Sequence, residues 1–194
     1  MPIRQATTTR TACMQARLNL IDAAATPGTI QMMAGGQPDP WADVASIAAH
    51  ATSIAYTAGD YVTSGLHYYR AETSGTSAAT APTWPTDGST VADNEITWQD
   101  MGEIPVLLGT LTLSQPCGTL VDGTLTFDAI TEDAAADANG TCTWARISDG
   151  DGNPVMDLPV GEIGSGQPIQ INTTNIVQGG PLRITSAVLT EGGQ

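Results

Sequence analysis

Apolar residues in this chain follow two different periods. Met14, Leu18 and Ile21 recur at i, i+4 and i+7 in an alanine-rich stretch. That period predicts one helix over residues 6–24, which Pro27-Gly28 would end. Thr29 to Ala34 reads as a short apolar strand, and the Gly35-to-Pro40 run continues neither helix nor strand. From residue 104 the period becomes two. Leu107, Leu111 and Leu113 alternate around Gly109, and Leu125, Phe127 and Ala129 repeat the pattern. Further pairs and triplets follow in Cys142 with Trp144, Met156 with Leu158 and Val160, Ile169 with Ile171, and Leu182 with Ile184 and Val188. Breakers such as Asp122-Gly123, Asn139-Gly140, Gly164 to Gly166 and Gly179-Gly180-Pro181 separate them at intervals of roughly ten residues, the texture of an antiparallel β-sandwich or jelly roll. No helical pattern lies between these strands, which argues against a doubly wound α/β fold. The fold class expected is mainly β, with one N-terminal helix.

The aromatic residues divide the chain differently. Six of the nine, Tyr56, Tyr61, Tyr68, Tyr69, Trp84 and Trp98, fall within residues 47–101. Aromatics supply the most buried area per residue, so a segment this rich in them predicts a small core of its own. Residues 47–101 therefore read as an inserted β module, flanked by residues 1–46 and 102–194 as one sandwich domain. Within the insert, Asp93-Asn94 before Glu95 to Gln99 predicts a hairpin turn.

Charge narrows the functional classes. Only 13% of residues are charged, there is no lysine, and six arginines against twenty acids give a net charge of −14. Such a surface repels a phosphate backbone and argues against nucleic-acid binding. The three cysteines, Cys13, Cys117 and Cys142, form no C-x-x-C pair, so they read as small buried hydrophobes rather than a disulfide framework or zinc cluster. No apolar run reaches the roughly 20 residues that span a bilayer, and no secretory leader pattern opens the sequence. Synthesis and assembly in a cytoplasm are expected, without a membrane.

Candidate chemistry is sparse. Asp149-Gly150-Asp151-Gly152-Asn153 spaces oxygen ligands like the start of a calcium loop, but Pro154 and Val160 stand where that loop needs glycine and glutamate. A plain turn explains the same residues, and no metal is expected. His50 and His67 are the only histidines, and no serine or cysteine sits in a nucleophile motif. Glu132, Asp133 and Asp137 read as solvated loop acids, so no catalytic residue and no cofactor is predicted. The aromatic cluster has two readings, the core of the module or a binding face. A face would use Tyr61, Tyr69, Trp84 and Trp98.

Two resemblances sharpen this. Tyr56-Thr57-Ala58-Gly59-Asp60-Tyr61-Val62, His67-Tyr68-Tyr69-Arg70-Ala71, Pro82-Thr83-Trp84-Pro85 and Ile96-Thr97-Trp98 resemble a small β module of tailed-bacteriophage virion proteins, similar in pattern to chitin-binding carbohydrate-binding modules. Those modules carry a tryptophan pair near their end, where only Trp98 stands here. The flanks resemble a family of small phage structural proteins through Arg17-Leu18-Asn19, Leu107-Leu108-Gly109-Thr110-Leu111, Gly123-Thr124-Leu125-Thr126-Phe127, Thr143-Trp144-Ala145-Arg146-Ile147 and Gly179-Gly180-Pro181-Leu182-Arg183-Ile184.

The resemblance implies a virion component assembled in the host cytoplasm, and low charge, many small residues and the lack of a ligand motif point to a non-enzymatic one, foremost a capsid decoration or cement protein on the head exterior. Its partners would be other virion proteins, the major capsid protein first, and further copies of itself. The alternative is a tail, collar or head-fibre protein whose aromatic module binds host surface glycans. Assembly contacts are expected from the arm of residues 1–12, from the helix face of Met14, Leu18 and Ile21, and from Trp41 at the root of the module.

Overall fold

The computed structural model describes residues 5–37 and 46–191. The chain is mainly β, with an N-terminal helix. Helix α1 (Thr7–Ile21) turns Met14 and Ile21 fully inward, and Leu18 packs beside them. It ends before Pro27-Gly28 because Asp22 caps it. The Asp22 N–H donates to the Leu18 carbonyl at 3.0 Å, and the Asp22 carboxylate accepts the Cys117 N–H at 3.0 Å.

After β1 (Thr29–Ala34) come β2 (Ala55–Tyr56), β3 (Tyr61–Ser64), β4 (His67–Ala71), β5 (Gly75–Thr76), β6 (Thr90–Asp93) and β7 (Ile96–Glu103). The remaining strands are β8 (Val106–Thr112), β9 (Gly118–Val121), β10 (Thr124–Phe127), β11 (Gly140–Thr141), β12 (Trp144–Ser148), β13 (Pro154–Glu162), β14 (Ile169–Ile171), β15 (Asn175–Ile176) and β16 (Ile184–Thr190). The contacts divide the chain into a flanking unit, Met1–Ala34 with Val106–Gln194, and an inserted unit, Gly35–Pro105. The insert is thus longer at both ends than residues 47–101.

In the flanking unit one eight-stranded sheet has the order β8-β1-β12-β13-β14-β16-β10-β9, and β11 pairs with β15 apart from it. Every neighbouring pair in the large sheet is antiparallel except β13 and β14. Helix α1 packs on β9, β10 and β13. Its Met14 and Ile21 join Ile30, Met32, Leu111, Leu125, Ile147, Leu158 and Ile169 in one core. Asp122 and Gly123 both adopt positive φ (49° and 78°), which closes the tight β9–β10 hairpin where Asp-Gly predicted a break.

Bulges correct the two-residue reading in two places. The ladder of β1 with β8 shifts between Met32 and Met33, skipping Leu108, so Leu108 enters the core where Leu107 was expected. The ladder of β14 with β16 skips Thr185, which turns Ala187 inward and leaves Val188 exposed. Trp144 is buried, as its alternation with Cys142 predicts, but it stands outside the cluster that Cys142, Ala145 and Ile147 join, and the Arg146 guanidinium lies over its ring at 5.3 Å.

The inserted unit has its own four-stranded antiparallel sheet, β3-β4-β7-β6, and a two-stranded β2-β5 pair. Val62, Tyr69, Ala71, Ile96 and Trp98 form its core, with Tyr56, Trp84 and Val91 packed against it. No helix among the described residues is long and apolar enough to cross a membrane.

Candidate functional site

Strand β7 is the spine of the aromatic cluster. Its alternation places Ile96, Trp98 and Asp100 on the buried face. The Trp98 ring is fully buried, 5.0 Å from Tyr56 and 5.8 Å from His50, both edge-on. Trp84 lies 4.3 Å from Tyr69, 5.0 Å from His50 and 6.0 Å from Trp98. These separations are those of favourable tilted and edge-to-face ring pairs.

Two histidine–aspartate pairs close the same face. His50 Nε2 lies 2.9 Å from Asp93 Oδ2, and His67 Nδ1 lies 2.8 Å from Asp100 Oδ1. Burial pushes both carboxyls up. Hydrogen bonds from Trp98, Ala78 and His50 outweigh it at Asp93, and bonds from His67, Gly88 and Gly102 do so at Asp100, so both are held below the ordinary carboxylate value. The Tyr69 hydroxyl is pushed up, first by burial and then by the Asp100 charge.

The structure therefore brings Tyr69, Trp84 and Trp98 together, as core more than as face. Tyr69 and Trp98 are buried, and the Tyr69 hydroxyl donates to the Pro85 carbonyl at 2.8 Å, so neither offers a surface for a ligand. Trp84 is half-buried. Tyr61 is also half-buried, but it belongs to the opposite face, tilted on Tyr68 at 6.3 Å, because its neighbour Val62 takes the core position. The assembly face of Met14, Leu18 and Ile21 is corrected likewise, since α1 buries that stripe in the core of the flanking unit. Of the expected arm of residues 1–12, Thr7 to Ala12 belong to α1, and residues 1–4 lie outside the described residues. Trp41 lies outside the described residues.

His50, Asp93 and Asp100 were not foreseen. Their signal was parity: Asp100 continues the inward register of Ile96 and Trp98, and a carboxylate at such a position requires a donor.

Other reactive groups serve the fold. The Asp149 carboxylate accepts the Asp151 and Asn153 N–H groups at 3.0 and 2.8 Å and the Asn153 side-chain amide at 2.9 Å, so it closes its own turn. Burial, then the Asp22 charge, pushes the Cys117 thiol up to about 12, and burial pushes Cys142 up to about 11. Among the described residues no His, Cys, Asp and Glu group is placed to hold a metal ion. No family model, curated protein or solved structure matches this chain.

Proposed function

We propose that the chain is a non-enzymatic structural component of a tailed-phage virion, a decoration or cement protein on the head exterior that contacts the major capsid protein and its own copies. The observation that carries this reading is the employment of the reactive side chains. His50 and His67 bind aspartates that hold backbone amides, Cys117 and Cys142 lie in the core, and Asp149 closes a turn. The virion setting comes from the sequence resemblance. Scarcity of charge adds support, since interface cores are depleted of charged residues. Arg17, Arg70, Arg146 and Arg183 are paired with carboxylates, so the acidic excess is left to a partner surface with basic groups.

Half-exposed Trp84 favours a second reading, a tail, collar or head-fibre protein whose module binds host glycans. Co-sedimentation of the purified chain with particles that lack it separates the two. The first reading expects saturable binding to particles and none to host glycans. Glycan binding by the purified chain, with particle binding that saturates at a few copies per particle, supports the second and overturns the first.

A further inference from the structure

Between β5 and β6 the backbone runs from Ser77 to Ser89 without helix or strand, and it carries Trp84. This segment lies on the aromatic side of the inserted unit's sheet, through the Trp84 ring against Tyr69 and through the Tyr69 hydroxyl on Pro85. Its two ends are held by buried carboxylates. The Ala78 N–H donates to Asp93 Oδ1 at 2.9 Å, and the Gly88 N–H donates to Asp100 Oδ2 at 2.9 Å.

The two attachments are built alike. In each carboxylate the oxygen that takes the segment's amide has that single donor, and the other oxygen has two. Asp93 Oδ2 accepts from His50 Nε2 and from Trp98 Nε1 at 3.0 Å. Asp100 Oδ1 accepts from His67 Nδ1 and from the Gly102 N–H at 3.0 Å. An ionised carboxylate has no hydrogen to give, so each histidine nitrogen is the donor in its pair. Each carboxylate has about four lone-pair sites and three donors, so its free site lies on the oxygen that takes the segment's amide. A proton that binds there turns this oxygen into a neutral hydroxyl, a poorer acceptor than a carboxylate oxygen. In both cases the bond weakened first is that of the segment's amide.

We propose that residues 78–88 form an acid-released strap: proton binding at Asp93 and Asp100 displaces the Ala78 and Gly88 amides and bares Tyr69, Trp98 and His50, while the sheet beneath stays folded. The charged and titratable groups around the pins set the range. His50 precedes β2, and His67 on β4 stands opposite Glu103 on β7 in the ladder. The hydrogen bonds from His50 and His67 favour the ionised form of the two carboxylates. Asp87, next to Gly88, is exposed. The Tyr69 hydroxyl is neutral throughout. Release therefore falls below about pH 4, the ordinary carboxylate range.

Amide hydrogen exchange on the full chain tests this, with rates normalised to free-peptide values at each pH. The readout is the protection of Ala78 and Gly88 relative to the β4 and β7 amides. Between pH 7 and pH 2.5 the strap amides are expected to lose protection about tenfold or more relative to the sheet amides. Asp93→Asn and Asp100→Asn, which each replace one acceptor oxygen by a donor, should give the same loss at pH 7. Strap and sheet opening in one step, or a strap protected equally at both pH values, overturns the proposal. So does a folded Asn variant with unchanged strap protection. If neither variant folds, the wild-type titration decides alone.

Discussion

Ala34 and Val106 are paired in the antiparallel ladder of β1 and β8, although the whole inserted unit lies between them in sequence. The insert occupies the place of a hairpin turn. Its removal leaves two strands already in register, so joining Ala34 to Val106 through Asn-Gly should yield a folded flanking unit. One cooperative melting transition, with far-UV dichroism of a β protein, is the expected outcome. An unfolded deletion product would show that the flanking core depends on the insert.

Trp98→Ala should act on the inserted unit. It removes the largest fully buried side chain and one donor to Asp93, a loss of about 3–5 kcal/mol. The exchange protection of β4 and β7 should fall by that amount while the β12 and β13 amides are unchanged.

The pH dependence of the inserted unit follows from Asp93 and Asp100. Both are held below the ordinary carboxylate value in the folded state, so the unfolded chain binds protons more readily. Their stabilisation is therefore complete above the unfolded value near 4 and is lost as pH falls through the folded one. Urea titrations from pH 7 to pH 3 should show stability falling only at the acid end, and Asp100→Asn should flatten that fall.

Calcium should have no effect. The Asp149 carboxylate is satisfied by its own turn. Melting in excess calcium and in excess chelator should agree within about 1 °C, whereas a tightly bound ion would raise the first by several degrees.

Thiol labelling should distinguish the cysteines. Cys13 is exposed on α1, while Cys117 and Cys142 are buried. A neutral-pH thiol reagent should modify one thiol per folded chain and all three after denaturation. Rapid labelling of Cys117 in the folded chain would contradict its place in the core.

Much of this fold was legible from period and composition, because one helix stripe and several strands bury one face each. Met14 and Ile21 do this in α1, as do Met156, Leu158 and Val160 in β13. The insert was legible because its aromatics cluster, though its ends were not, since Gly35 and Pro105 carry no apolar signal. Leu108 and Ala187 escaped because a bulge shifts parity by one residue, and the shift is set by the neighbouring strand. At the site, Tyr69, Trp84 and Trp98 were brought together as expected from composition. The inward register of Asp100 was legible in the parity of Ile96 and Trp98, whereas the ring burial and the pairing of the aspartates with His50 and His67 depend on contacts across the sheet.

The most direct measurement of the functional reading is an image of purified particles carrying a label on this chain. A decoration or cement protein predicts density distributed over the whole head exterior at regular lattice positions. Label confined to one vertex or the tail would contradict the decoration reading, and a chain found only free in the lysate would contradict the virion reading altogether.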